Sequence, residues 1–316
     1  MNILVDVAVF AVGIIVIVKS ADLLTDAAEG IAEALGIPRI IIGLTIVSIA
    51  TTFPEFIVST FSARMGYGGM AVGNALGSCL VNIGLILAVA AILRPIEFDR
   101  LTMRREQPLL LAAVLTLCGA ASNGTLGPGN GAFLVSLMAL FYMYIIIREL
   151  TSRRSNGKKA AVKRNIGRNA LIFCIGASGV VVAARYAIIP QGVSIARFLG
   201  IPEIVIGLSL VAVGTSLPEF VTAIVASSKR MGELAAGNVI GANMLNILWV
   251  LGCSALLNPI PIDHQTMFVT LPVVLLMTIL LLIFSRTGSR LTRNEGLTLA
   301  FLYFGYIAYI IVFAYK

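Results

Sequence analysis

Two glutamates lie inside long apolar stretches of this chain, Glu55 in ATTFPEF (50–56) and Glu219 in GTSLPEF (214–220). A carboxylate within a membrane-crossing segment is costly and usually marks an ion or substrate pathway. The proline directly before each glutamate has no N–H, so the carbonyl four residues earlier loses its helical partner. Hydroxyl groups flank both breaks, on Thr51, Thr52, Thr215 and Ser216. Carboxylates, hydroxyls and loosened carbonyls together predict a site for a hard cation.

A second set of polar side chains recurs every four residues in the segments that follow. One stripe consists of Asn74, Ser78 and Asn82, and its counterpart consists of Asn238, Ala242 and Asn246. Residues four apart share a helix face, so each stripe is expected to present amide or hydroxyl oxygens to one side. A small-xxx-small pattern predicts close approach of another helix, and it occurs at Gly73/Gly77 and Gly237/Gly241.

The candidate ligands are all oxygen atoms. The only histidine of the chain, His264, falls at a loop edge, and the four cysteines form no CxxC pair. Oxygen ligands favour hard cations, and two carboxylates balance the charge of one Ca²⁺. The same oxygens could hold Na⁺, or the glutamates could carry protons, so these three occupants remain open on residue chemistry alone.

The polar residues belong to a stretch that the chain contains twice. Residues 35–93 align without a gap on residues 199–257 at a constant offset of 164, with 23 of 59 positions identical. The identical positions include the few polar ones, Thr51/Thr215, Glu55/Glu219, Asn74/Asn238 and Asn82/Asn246. In so apolar a chain, matching polar positions indicate one site built from both copies.

The composition predicts an integral membrane protein. Of 316 residues, 59% are hydrophobic and 12% charged, and the mean hydropathy is +0.99. A helix of roughly 20 apolar residues crosses a bilayer. Ten such runs lie near 3–20, 38–62, 70–92, 107–122, 130–149, 168–188, 201–228, 233–256, 265–285 and 296–314. We therefore expect an all-α protein with ten transmembrane helices, the first retained and not cleaved as a signal peptide.

The basic residues predict the orientation. A hydrophilic linker, 150–167, separates residues 1–149 from residues 168–316, and each half contains five expected helices. Placing the linker in the cytoplasm leaves nineteen Lys and Arg inside and four outside, the usual asymmetry of membrane proteins. Both termini then lie outside the cell membrane. Because the net charge of +8 is concentrated in these loops, it indicates membrane orientation, and we expect no nucleic-acid partner.

The duplicated stretches begin five helices apart. An odd number means that the second copy enters the membrane from the opposite side. The two halves therefore have inverted topology, an arrangement typical of secondary transporters whose site lies at the midplane between the repeats.

The motifs GTSLPEF with GNVIGANMLNI, and ATTFPEF with GNALGSCLVNI, resemble the α-repeats of the sodium/calcium exchanger family, in the calcium/cation antiporter superfamily. The resemblance covers essentially the whole chain and implies Ca²⁺/Na⁺ exchange by alternating access, with the first and sixth helices as the moving pair. It implies that Glu55 and Glu219 are central ligands for both ions and that Asn82 and Asn246 complete the central site. The implied sodium ligands are Thr51, Thr52 and Ser78 on one side, Thr215 and Ser216 on the other, and carbonyls near Ser48 and Ala212.

Three positions depart from the pattern of that family. Ala50 replaces a glycine at the first break, Ala242 replaces a serine opposite Ser78, and Asn246 stands where relatives often carry aspartate. The last two changes leave one possible sodium ligand fewer and two central acids instead of three, so stoichiometry and electrogenicity stay open.

The sequence thus predicts an antiporter that is no enzyme and needs no cofactor, with Ca²⁺ and Na⁺ as substrates, the bilayer as its surroundings and no required oligomer. One alternative is an H⁺-coupled Ca²⁺ or other divalent exchanger that uses the same glutamates. Its usual Gly-Asn-Ala-x-Glu motif is missing from the sequence, which favours Na⁺. A second alternative is a cation channel, whose filter normally comes from a ring of subunits, whereas the acids here pair within one chain.

Overall fold

The structure is a computed structural model that describes residues 3–97, 100–155, 166–198 and 212–313. Within these ranges the chain is helical apart from four two-residue strands. The helices are α1 (Ile3–Leu35), α2 (Arg39–Thr51), α3 (Phe53–Arg64), α4 (Gly68–Leu93), α5 (Arg100–Ala121), α6 (Pro128–Ser155), α7 (166–198), α8 (Ala212–Thr215), α9 (Leu217–Ser228), α10 (Gly232–Leu257), α11 (Thr266–Arg286) and α12 (Arg293–Phe313). The strands are β1 (Ile96–Glu97), β2 (Thr125–Leu126), β3 (Ile260–Pro261) and β4 (Arg290–Leu291).

The helices have the length and composition of membrane spans. Within the described ranges seven are long and apolar enough to cross a bilayer, and α2 with α3 makes an eighth if that bent pair is one span. Two shorter apolar helices, Glu106–Ala121 and Leu217–Ser228, accompany them. The all-α membrane class is confirmed. The count of ten stays a prediction, because the expected span 201–228 begins at residues outside the described ranges.

The first helix is longer than its sequence suggested. We expected an apolar span near residues 3–20, but α1 continues to Leu35. Alanine, leucine and glutamate are good helix formers, no proline occurs before Pro38, and the helix ends at Gly36, whose φ is +63°. With 33 residues, α1 is about 50 Å long, well beyond the hydrocarbon core of a bilayer, and it must tilt or protrude.

Two helices form the centre of the bundle. In the most apolar stretch of α4, 72% of the residues are buried, and in that of α10, 83% are buried. The corresponding fraction is 11% in α1 and 22% in both α6 and α12. α10 packs against α2 with almost no side chain between the backbones: a Cβ on Gly237 would lie 2.3 Å from the carbonyl oxygen of Ile40, and one on Gly241 2.6 Å from that of Leu44. The close approach predicted from this glycine pair is confirmed. For Gly73/Gly77 the close approach stays a prediction, because positions 204 and 208, which are equivalent to Ile40 and Leu44, lie outside the described ranges.

The two halves of the chain are also joined at their loops. β1, after α4, pairs antiparallel with β4, before α12. β3, after α10, pairs antiparallel with β2, before α6. β1 and β3 are 164 residues apart, the offset of the duplicated stretch. Each half therefore contributes one strand to both small sheets, as a pseudo-twofold relation between the halves requires.

α1 and α7, which contain the expected first and sixth spans, lie side by side. A Cβ on Gly176 of α7 would lie 2.7 Å from the backbone nitrogen of Leu24 in α1, and one on Gly179 would meet the hydroxyl of Ser20. Small residues thus let these two helices pack closely, and the pair lies outside the centre formed by α4 and α10.

Candidate cation-binding site

The site begins where two helices are interrupted. α2 passes into α3 at Thr52 with a bend of 48°, and α8 passes into α9 at Ser216. Thr52 (φ −78°, ψ −2°) and Ser216 (φ −88°, ψ 9°) lie near the bridge region of the backbone map. Pro54 and Pro218 occupy the first turn of the helix that follows, where a missing N–H costs nothing. The break predicted beside each proline is confirmed.

Each break presents a glutamate to the interior of the bundle. Glu55 and Glu219 lie in the first turns of α3 and α9, where the helix dipole favours a negative charge. Both side chains are fully buried. In the part of the chain that the structure describes, neither forms a salt bridge, so no basic side chain there compensates their charge.

Hydroxyl groups reach from each repeat to the glutamate of the other. Thr52 Oγ1 donates to Oε1 of Glu219 at 3.1 Å, and Ser216 Oγ donates to Oε1 of Glu55 at 3.1 Å. Thr52 and Ser216 are equivalent positions of the two repeats, as are the two glutamates. The same contact therefore occurs twice, and the site is shared between the halves.

Ser78 adds a hydroxyl on one side only. Its Oγ lies 3.5 Å from Oε1 of Glu55 and 3.1 Å from Oγ of Ser216. The equivalent position holds Ala242, which is fully buried and has no side-chain oxygen. At this position the two halves of the site differ by one hydroxyl, as the sequence indicated.

A second reciprocal contact orients the remaining threonines. Thr51 Oγ1 donates to Oδ1 of Asn238 at 3.1 Å, and Thr215 Oγ1 donates to Oδ1 of Asn74 at 3.2 Å. Asn74 and Asn238 belong to the polar stripes, for which the sequence predicts no further role, and here they contact the side chains of two expected sodium ligands. Their identity in the two repeats was the available signal. The contact partners, by contrast, became visible only when the repeats were packed together.

Asn82 and Asn246 begin two equivalent π-helical turns, Asn82–Leu87 and Asn246–Val250. Such turns are rare and are frequently found at functional sites. The turn of Asn82 packs against α9, which carries Glu219, and the turn of Asn246 packs against α3, which carries Glu55. Each asparagine thus comes from one repeat and lies on a turn that contacts the glutamate-bearing helix of the other.

Several buried polar atoms in these residues are without a hydrogen bond among the described residues. Among the described residues, Oε2 of Glu55, Oε2 of Glu219, Oδ1 of Asn82 and both amide atoms of Asn246 find no partner. Leaving one buried polar group unpaired costs about 1–3 kcal/mol. Four acceptor oxygens, two of them from carboxylates, fit a hard cation, which satisfies all of them at once.

The expected carbonyl ligands are less accessible. The carbonyl of Ser48 accepts the N–H of Thr52 at 2.9 Å, and the hydroxyl of Ser48 donates to the carbonyl of Leu44 at 2.8 Å. The hydroxyl of Thr51 also lies 3.4 Å from the Ser48 carbonyl oxygen, so an ion bound there would compete with that contact. Ala212 opens α8, directly after residues 199–211, which lie outside the described ranges.

The acidic part of the site consists of two carboxylates. No three His, Cys, Asp or Glu side chains come together within the described residues. Neutral amide and hydroxyl oxygens supply the rest of the site, and that set suits Ca²⁺ or Na⁺ better than softer metals.

The chain is similar in sequence and fold to known membrane proteins. The family model described as sodium/calcium exchanger protein matches residues 5–147 and 168–312. The inner membrane protein YrbG of Escherichia coli (strain K12) is 36% identical over 263 residues, covering 81% of each chain. The sodium/calcium exchanger MaX1 of Methanosarcina acetivorans is 30% identical over 346 residues, covering 97% of this chain and 98% of the relative. A solved structure of the sodium-calcium exchanger NCX_Mj, soaked with 2.5 mM Na⁺ and 0.1 mM Ca²⁺, is similar with a TM-score of 0.84 and 30% identity, covering 98% of this chain and 99% of that one.

Proposed function

Because the chain belongs to the sodium/calcium exchanger protein family and is an antiporter of Ca²⁺ and Na⁺, we propose that both ions bind in the oxygen cage around Glu55 and Glu219. The observation that carries this proposal is the pair of buried carboxylates, each with one oxygen that has no partner among the described residues. Two such charges in a bundle interior are costly unless a cation occupies the site.

Ca²⁺ would bind between the two glutamates. Glu55 Oε2 and Glu219 Oε2 supply two negative charges, which balance those of the ion. Oδ1 of Asn82 and Oδ1 of Asn246 supply neutral ligands toward the 6–8 oxygens that Ca²⁺ takes. Since each repeat contributes one carboxylate and one amide, a relative movement of the repeats changes the coordination of the ion.

Na⁺ would bind where hydroxyl groups surround the carboxylates. Thr51 and Thr52 form one such region, in which Thr52 contacts Glu219. Thr215, Ser216 and Ser78 form the other, because the hydroxyl of Ser78 lies 3.1 Å from that of Ser216 and both contact Glu55. Carbonyls at Ser48 and Ala212 would complete the two regions. Two of these hydroxyls, on Thr52 and Ser216, donate to the glutamates. A hydroxyl has one donor and two acceptor lone pairs and rotates freely, so it can turn a lone pair to Na⁺. The carboxylates of Glu55 and Glu219 are then ligands of either ion, so Na⁺ and Ca²⁺ compete for the cage.

Transport follows if the cage opens alternately to the two sides of the membrane. We assign the moving part to α1 and α7, which pack closely on each other through Gly176 and Gly179 and flank the centre formed by α4 and α10. The cage would stay in place beside that centre while α1 and α7 move. The proposed topology has ten spans in all, with the linker 150–167 in the cytoplasm and both termini outside.

The test is ⁴⁵Ca²⁺ uptake into proteoliposomes loaded with Na⁺, compared with proteoliposomes loaded with K⁺ or choline. We expect uptake only with internal Na⁺, saturating with external Ca²⁺. A third arm replaces the Na⁺ gradient with a pH gradient. Uptake driven by pH and indifferent to Na⁺ would contradict competition between Na⁺ and Ca²⁺ and assign the glutamates as proton carriers.

A further inference from the structure

Cys79 and Asn243 are equivalent residues of the two repeats that contact each other. They are 164 positions apart, and both are almost completely buried. Asn243 Nδ2 donates to the carbonyl oxygen of Cys79 at 3.5 Å, and Cys79 Sγ lies 3.9 Å from the carbonyl oxygen of Asn243. Two equivalent residues can contact each other only close to the pseudo-twofold axis, so this pair lies where α4 and α10 cross.

The contact with Cys79 fixes which way the amide of Asn243 faces. A backbone carbonyl only accepts hydrogen bonds, so it must face the Nδ2 group of Asn243. The Oδ1 atom of Asn243 is then directed to the other side, where it accepts a hydrogen bond from Nδ2 of Asn82 at 2.9 Å. The carbonyl of Cys79 thus orients the amide of Asn243, and the amide of Asn243 in turn orients that of Asn82.

The orientation of Asn82 follows. With its Nδ2 bonded to Asn243, the remaining atom of the amide is Oδ1, which has no hydrogen-bond partner among the described residues. An amide that turned over would direct Nδ2, a donor, to the place where the cage needs an acceptor. The hydrogen bond from Asn82 to Asn243 prevents this.

In the other half of the cage, no described residue forms an equivalent hydrogen bond with Asn246. For Asn246, the position equivalent to Asn243 holds Cys79, whose thiol lies against the carbonyl of Asn243 instead. Neither amide atom of Asn246 has a hydrogen-bond partner in the described ranges. The two equivalent asparagines therefore differ: one is held by a neighbour and one is not.

We propose that Asn243 is a positioning residue that holds the Asn82 amide with its oxygen toward the transported cation. The proposal rests on the proposed function, because it needs Asn82 to be an ion ligand. Asn243 itself does not touch the ion; it acts through Asn82. Its removal should weaken ion binding and leave the maximal rate of transport nearly unchanged.

A double-mutant cycle on ⁴⁵Ca²⁺ uptake tests this. The variants are Asn82→Ala, Asn243→Ala and the double variant, each measured for half-saturating Ca²⁺ concentration and maximal rate. We expect Asn243→Ala to raise the half-saturating concentration about fivefold, as for the loss of one hydrogen bond. In the Asn82→Ala background the same substitution should have no further effect. Cys79→Ala is the matched control, since it keeps the backbone carbonyl that orients Asn243 and should leave the half-saturating concentration unchanged.

Each of the other outcomes overturns the proposal. If Asn243→Ala weakens Ca²⁺ binding by the same factor with and without Asn82, its role is independent of Asn82. If Asn82→Ala alone leaves the Ca²⁺ dependence unchanged, the assignment of Asn82 to the cage fails, and the positioning role fails with it. Should Asn243→Ala not fold, Asn243→Leu, which is similar in volume and forms no hydrogen bond, carries the same comparison.

Discussion

The hydroxyl of Thr52 lies 3.1 Å from Oε1 of Glu219, although the two residues are 167 positions apart. The contact joins the break in one repeat to the carboxylate of the other. The equivalent contact, from Ser216 to Glu55, has the same length. Neither repeat contains a complete site, so a change at either break should alter ion binding by the whole cage.

Removal of the Thr52 hydroxyl should weaken the binding of Na⁺ more than that of Ca²⁺. Thr52→Val keeps the shape of the side chain and removes one oxygen from a proposed sodium region. We expect the Na⁺ concentration that half-inhibits ⁴⁵Ca²⁺ uptake to rise about tenfold, the effect of losing a hydrogen-bonding group to an ion. Thr60→Val is the control, because the hydroxyl of Thr60 donates to the carbonyl of Phe56 in its own helix. Equal shifts in the two variants would remove Thr52 from the site.

Restoring the missing hydroxyl should have the opposite effect. Ala242→Ser places an oxygen opposite Ser78, and we expect it to lower the Na⁺ concentration needed for half-inhibition. Ser78→Ala should raise that concentration. The measurement is the Na⁺ concentration that half-inhibits ⁴⁵Ca²⁺ uptake in each of the two variants. Shifts in the same direction would mean that these positions are not equivalent parts of one cage.

An ion pair links α1 to the loop between α9 and α10. Lys229 Nζ lies 2.6 Å from Asp26 and 3.2 Å from Asp22. Partial burial would lower the pKa of Lys229, but the hydrogen bonds and charges of Asp26 and Asp22 raise it above its usual value, so Lys229 is charged at neutral pH.

If α1 moves during transport, Lys229→Gln should change the maximal rate of uptake and leave the half-saturating Ca²⁺ concentration unchanged. We expect a change of less than about fivefold, because partly exposed pairs contribute about 1 kcal/mol or less. Lys19→Gln, which removes an exposed charge from the same helix, is the control. A changed Ca²⁺ affinity with an unchanged rate would contradict a role in movement.

The orientation can be tested with reporters. Alkaline phosphatase is active only outside the cytoplasm, so a fusion after Lys316 should be active and one within 150–167 inactive. An even number of spans places both termini on one side, and five spans on each side of the linker place it opposite them. Activity at the linker would reverse the predicted topology, and like results at the linker and after Lys316 would exclude five spans between them.

The duplication explains why much of the site was visible in the sequence. Glu55 and Glu219 stand out because a carboxylate in an apolar segment is costly, and the following polar stripes repeat at the same offset. Pro54 and Pro218 indicate the breaks through backbone chemistry alone. These features depend on local sequence. The grouping of the hydroxyls does not: the resemblance implied that Ser78 lies with Thr51 and Thr52, but the structure places it beside Ser216 and Glu55.

Other features depend on packing and could not be predicted in this way. The extension of α1 to Leu35 was missed because the apolar run ends near residue 20, yet polar and charged residues do not stop a helix in which no proline occurs. Asn243 was missed because the repeats differ there, Cys79 against asparagine, and its contact with Asn82 exists only when α4 and α10 cross.

The most direct test of the cage is equilibrium binding of ⁴⁵Ca²⁺ to the purified protein and to Glu55→Gln and Glu219→Gln. Glutamine keeps the shape of the side chain and removes one of the two charges that hold the ion. We expect each variant to remain folded by size-exclusion chromatography and to lose at least about a hundredfold in Ca²⁺ affinity, as when a buried charge loses its partner. Glu97→Gln, at an exposed position outside the cage, should bind as the unchanged protein does. Folded variants that bind Ca²⁺ with unchanged affinity, still displaced by Na⁺, would contradict the account.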